Sequence, residues 1–455
     1  MGRTKQLAGG VLAVSIAIAG FTYLAHEAPP RPVTREPTIT AGFLPGSGAS
    51  VLSQAPGRPQ LAELDRLIRS FGRQTDTSPS AAGFAFLGQL ELERARLTGD
   101  VASYARAGRA LEEAVSLAPQ DPEPQALLAG VRFTTHDFLG AFELADRIYA
   151  ADRSLAALAV RGDAELELGR YDEAAADYRV LAAARPGDSA SLVRLSRLAF
   201  LQGDAVEAAD LAADAERAAE GEGAFGAALS WYTAYRGRLS LEAGRYDEAA
   251  RHYRRAVEAA PDYHVAISGL AGARAAQGRF DDAIRLYERA VALVPELASL
   301  AALGDLYTAT GDDRAAANRY ATVEAIAAVQ AVNRRLYDRQ LALFRADHGG
   351  DLDEALEIAR QGLETRRDVY GHDVLAWVLF HLGRLDEARD ASDRALAMGT
   401  PDARLWFHAG MISAGLGEVD RARAELTRAL ALHPAFDPLL APQAAETLAE
   451  LGGPV

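Results

Sequence analysis

Apolar positions repeat on two scales along this chain. On the short scale, Leu61, Leu64, Leu67, Ile68 and Phe71 follow the roughly 3.6-residue period of an amphipathic helix, which predicts a first helix over Leu61–Phe71. Thr75-Asp76-Thr77-Ser78-Pro79 then supplies a break, a cap and a proline for the first turn of the next helix. On the long scale, Gly169, Gly203, Gly244, Gly278, Gly311, Gly350, Gly383 and Gly417 recur at intervals of 34, 41, 34, 33, 39, 33 and 34 residues. Several open the same phrase: Gly169-Arg-Tyr-Asp-Glu-Ala, Gly244-Arg-Tyr-Asp-Glu-Ala, Gly278-Arg-Phe-Asp-Asp-Ala and Gly383-Arg-Leu-Asp-Glu-Ala. A helix-breaking glycine at the middle of such a period implies one helix–turn–helix unit stacked many times. The two long intervals imply insertions. The first is read as a loop at Glu220-Gly221-Glu222-Gly223, the second as a lengthened helix near Glu324–Arg345.

Around each glycine the same residue types return. The unit turning at Gly169 has Gly162, Tyr171, Ala174, Tyr178 and Pro186; that at Gly244 has Gly237, Tyr246, Ala249, Tyr253, Ala256 and Pro261. Gly278 brings Ala271, Phe280, Ala283, Tyr287, Ala290 and Pro295, and Gly417 brings Trp406, Gly410, Ala422, Ala429 and Pro434. Small residues let two helix axes approach, aromatic rings fill the space beside them, and proline stops the second helix. In this pattern the chain resembles the tetratricopeptide repeat (TPR) family. Earlier units are degenerate: Ala107, Ala114 and Pro119 end one, and His136 takes the glycine slot of the next, before Phe138, Ala141 and Ala145. The resemblance spans residues 81–434 and implies an all-α, right-handed solenoid of about ten units. Gln443–Leu451, in the tail 435–455, is amphipathic enough to cap the open end.

The amino terminus differs. Arg3 and Lys5 precede Leu7–Ala25, which carries no charge and as a helix would span about 28 Å. Residues 1–28 are therefore expected to form an uncleaved membrane anchor, with the rest of the chain outside the cytoplasm of a bacterial envelope. Cleavage as a signal peptide, at Ala17-Ile18-Ala19, is the alternative. Residues 29–60 hold seven prolines among Gly and Ser and read as an extended spacer, followed by the leading helix and break at 61–80.

Composition narrows the chemistry. With 49% hydrophobic and 24% charged residues, a packed core is feasible. The net charge of −15 argues against a nucleic-acid partner. There is no cysteine, which excludes disulfides, thiolate catalysis and cysteine-ligated metal. Lys5 is the only lysine, a base-composition bias rather than a functional signal. No phosphate-cradling glycine motif or His-x-x-x-His pair occurs, and His372 and His381 point to opposite sides of one helix. Asp172-Glu173, Asp247-Glu248, Asp353-Glu354 and Asp386-Glu387 sit in first helical turns, where they complement the helix dipole. Neither a catalytic residue nor a cofactor or metal ligand is assigned.

The resemblance implies that fixed positions on the first helix of each unit build a concave wall. Here they are Tyr370, Asp373, Trp377, Phe380 and His381, then Arg404, Phe407 and Met411, with Trp231, Arg238 and Glu242 in the middle of the array. Aromatic area with a few charges suits the holding of a peptide; ordinary inter-repeat core is the competing reading of Trp377 and Phe380. The expectation is a non-enzymatic, membrane-tethered scaffold that binds a partner protein. A secreted chaperone or carrier, or the regulatory arm of an envelope enzyme, is the alternative.

Overall fold

The computed structural model describes residues 58–98, 100–329 and 338–453. The expected anchor, nearly all of the spacer and the centre of the second insertion lie outside these residues. Every regular element described is an α-helix. A leading helix α1 (Arg58–Thr77) precedes ten helical hairpins. The first four are α2 (Ala81–Thr98) with α3 (Val101–Leu117), α4 (Pro122–Thr134) with α5 (Phe138–Asp152), α6 (Leu155–Glu167) with α7 (Tyr171–Ala184), and α8 (Ser189–Leu201) with α9 (Ala205–Gly221). Three more are α10 (Gly226–Glu242) with α11 (Tyr246–Ala259), α12 (His264–Ala276) with α13 (Phe280–Leu293), and α14 (Leu297–Thr310) with α15 (Asp313–Val329). The last three are α16 (Asp338–Asp347) with α17 (Leu352–Thr365), α18 (Val369–His381) with α19 (Leu385–Leu396), and α20 (Ala403–Gly415) with α21 (Val419–Leu432). As expected, a final helix α22 (Leu440–Glu450) closes the array, burying Ala441, Ala444 and Leu448.

The hairpins follow from the local chemistry. At the turns, Gly169 and Gly278 take φ of +74° and +72°, a conformation costly for side chains with a Cβ. His136 holds the same slot at φ +59°. Within hairpins the small residue faces the ring 16 positions later. A Cβ on Gly162 would meet Tyr178 Cε1 at 2.9 Å, and one on Gly304 would meet Tyr320 Cε1 at 2.3 Å. Larger residues there would separate the helices.

Three local expectations need correction. Helix α1 begins at Arg58, because Pro59 sits in its first turn, where the missing N–H breaks no helical bond. It runs on to Thr77, as the Thr75 and Thr77 hydroxyls donate back to the carbonyls of Gly72 and Arg73 at 2.9 and 3.0 Å; Ser80, after Pro79, caps α2 by accepting from the Gly83 amide. The expected loop at 220–223 is half helix: α9 continues through Gly221, the turn follows at Glu222-Gly223, and the insertion also lengthens α9 and α10. Glu222 is fixed by the amide and hydroxyl of Ser189, at 2.9 and 2.6 Å.

Core runs lengthwise between helices, and buried polar groups stitch one hairpin to the next. Asp163 of α6 takes two hydrogen bonds from Arg194 of α8, at 2.8 and 2.7 Å, and one from the Tyr178 hydroxyl at 2.9 Å. Asp305 of α14 repeats the motif with His348, just after α16, at 2.7 Å and Tyr320 at 2.9 Å. Asp373 of α18 pairs with His408 of α20 at 2.9 Å.

Candidate functional site: the inner wall and the seam

The array curls until its third, fourth and fifth hairpins touch the chain six hairpins later. The Val369 amide donates to the Tyr171 hydroxyl at 2.9 Å, 198 residues away. The Thr400 hydroxyl donates to the Leu201 carbonyl at 2.7 Å, and the Ala435 amide to the Tyr246 hydroxyl at 3.0 Å. In each case the turn inside one hairpin meets a later connection, between two hairpins for the first two contacts and between the last hairpin and α22 for the third. The turn glycines are needed for this approach: a Cβ on Gly169 would lie 2.5 Å from the Arg367 carbonyl oxygen, and one on Gly244 would lie 3.0 Å from that of Leu432. Charges reinforce this seam. Glu167, buried at the end of α6, binds Arg197 and reaches Arg366 at 2.5 Å. Burial works against its charge, but Arg366 and Arg197 outweigh it and hold its carboxyl well below the usual carboxylate range.

The expected wall residues divide by burial. Trp377, Phe407 and Asp373 are 2%, 0% and 5% exposed, so their expected role as contact surface is corrected: they are inter-repeat core. Trp377 stacks on His408 with ring centroids 4.1 Å apart, and its indole N–H donates to Asp347 at 2.7 Å. Phe407 packs between Trp377 and Phe436. The cause is that rings on neighbouring first helices face one another, Trp377 of α18 against Phe407 and His408 of α20.

Arg238, Tyr370 and Arg404, far apart in sequence, come together on the inner side of the seam with Glu242 and Asp402. Arg404 bonds Asp437 at 2.6 Å and Asp347 at 3.3 Å, tying α20 to α16 and to the segment before α22. Burial and the nearby Asp402 push the Glu242 carboxyl up to about 8. Asp402, Asp437 and Asp347 were not assigned from the sequence. Their partners are one or several hairpins away, and no local pattern marks them.

Phe380, Met411 and Trp231 are half-buried and His381 is exposed. Phe380 stacks on Trp377 at 5.0 Å and the His381 ring stands edge-on to the same indole at 4.6 Å. Trp231 stacks on Tyr235 at 5.9 Å, away from the carboxyl-terminal group. Among the described residues no group of three or more histidines and carboxylates is set to hold a metal ion. No described helix is long and apolar enough to cross a membrane, and Leu7–Ala25 lies outside the described residues.

A search of curated proteins finds no match. Among solved structures, the Cut9–Hcn1 hetero-tetramer of the APC/C is 14% identical over 86% of this chain and 93% of that one, with a TM-score of 0.33. The human IFIT1 dimer with PPP-AAAA is 14% identical over 75% and 86%, at 0.43. PilW, a type IV pilus biogenesis factor, is 19% identical over 45% and 93%, at 0.39. Likenesses this low carry no argument about function. Family models are more direct: two models of the tetratricopeptide repeat match, one over residues 160–224 and 374–437, the other over 240–303. With ten stacked hairpins packed on the expected small and aromatic positions, the chain is a tetratricopeptide repeat protein, of a family whose arrays act as protein–protein interaction scaffolds.

Proposed function

We propose that this protein is a non-enzymatic scaffold that holds a partner protein against the inner side of its last repeats. The observation that carries this reading is the patch of Phe380, His381 and Met411, which leaves ring and thioether surface partly open on a wall fixed from behind by Trp377, Phe407 and Arg404. A rigid platform of this kind lowers the ordering cost of binding. The apolar run Leu7–Ala25 and the proline-rich segment after it support a tether to a bacterial envelope membrane, with the repeats on the extracytoplasmic side.

Photo-crosslinking in cells tests the surface. A photoreactive phenylalanine at His381 or Met411 is expected to capture a discrete partner that the same group at Val206, 74% exposed on α9, does not. Equal capture at all three positions, or none at His381 and Met411, would refute it.

A further inference from the structure

An arginine-rich cleft of about 690 Å³ lies on the edge of the array, between the start of α11 and the end of α12. Arg245, Arg251, Arg274 and Arg279 line it, in a chain whose net charge is −15. Two of the four are neutralised: Arg245 binds Glu248 at 2.7 Å, and Arg279 binds Asp282. The other two are not. Arg274 donates at 2.7 Å to the amide oxygen of Gln277, whose own NH₂ donates to Asp247 at 2.6 Å. Arg251 has no carboxylate partner among the described residues, and Arg254, close by, bonds only the Ala250 carbonyl. Burial and the charges of Arg279 and Arg254 together disfavour the cation of Arg274. More deeply packed arginines such as Arg161, Arg194, Arg345, Arg389 and Arg404 are paired with carboxylates. Arg251 and Arg274 thus bring two guanidiniums without a salt-bridge partner into one concavity.

We propose that this cleft is a second docking point, which takes a carboxylate-rich segment of a protein partner through Arg251 and Arg274. Guanidinium forks match carboxylates, and each free arginine can receive one. A peptide is favoured over a phosphate polymer for two reasons. Asp247 and Glu248 line the cleft and would oppose densely packed dianions. The excess negative charge of the rest of the chain would repel an extended polyanion, whereas a short acidic segment meets only the local field. The inference rests on the scaffold reading and adds the chemistry of one contact. It also sits beside the seam, since Tyr246 lines the cleft and accepts from the Ala435 amide.

The test uses the full chain and a fluorescein-labelled hexaglutamate peptide, read by anisotropy at low ionic strength. Hexaglutamate is expected to bind and hexaglutamine not to. The double variant Arg251→Ala, Arg274→Ala should weaken binding about tenfold, the scale of two exposed charge pairs, and added salt should abolish it. Arg217→Ala, an exposed arginine on α9, should change nothing, and circular dichroism should show both variants folded. Absence of hexaglutamate binding, equal affinity in the double variant, or displacement by pyrophosphate at lower concentration than by unlabelled peptide would each overturn the proposal. Failure of the scaffold reading is separate, because it appears as loss of partner capture at His381 and Met411 whatever hexaglutamate does.

Discussion

The turn glycines share a backbone conformation but not an environment, and the difference measures the seam. Gly169 and Gly278 have nearly equal φ, yet a Cβ at Gly278 would meet nothing within 4 Å, whereas one at Gly169 would strike the Arg367 carbonyl at 2.5 Å. Gly278→Ala should therefore cost about 1 kcal/mol, the strain of a left-handed alanine. Gly169→Ala should cost about 1–3 kcal/mol more, because the seam has to shift. Urea unfolding of the two variants checks this, and equal losses would mean that the seam adds no stability. The sequence marks both glycines alike. Helix termination is a local property and was legible; the carbonyl 198 residues away was not.

At the scale of elements, polar ties between successive first helices join hairpins that apolar contact alone would leave free to slide. Asp163 and Arg194 are almost fully buried, at 0% and 2% exposed, and satisfy each other in two hydrogen bonds. Arg194→Leu would strand the Asp163 carboxylate, with only Tyr178 left to donate to it. The expected loss is about 3–5 kcal/mol, partly recovered in the double variant Asp163→Ala, Arg194→Leu. A double-mutant cycle in urea measures the coupling, and strict additivity would contradict it. From the sequence, the helix pairs, their small and aromatic positions and the capping carboxylates could be read, because each depends on residues within one unit. The split of Trp377, Phe380 and His381 into core, half-buried and exposed could not. All three lie on one helix in which aromatic and aliphatic residues are mixed, and burial depends on where the next first helix packs.

For the whole molecule, closure across six hairpins turns an open spring into a braced coil, and its inner charges make the brace sensitive to pH. The Glu242 carboxyl, pushed up by burial and by Asp402, is also faced by Arg238 and Arg404, which favour its charged form. Its folded value of about 8 lies above the ordinary 4.5, so the folded chain keeps a proton that the unfolded chain has lost. That contribution is complete below about pH 4.5 and disappears as pH rises through about 8. The melting temperature should therefore fall as pH rises from about 5 to about 8, and Glu242→Gln should flatten that slope. An unchanged slope in the variant would assign the dependence to other groups.

The amino-acid sequence by itself determined the helical hairpin, its number of copies and its stacking into a solenoid, because helix period, turn glycines and crossing residues act over distances shorter than one repeat. Only the tertiary structure decided which charges meet across the coil, and which aromatic rings lie in the core or on the wall. Those outcomes depend on a small rotation between neighbouring hairpins, summed over six of them. No single repeat encodes that sum in a form that can be read locally.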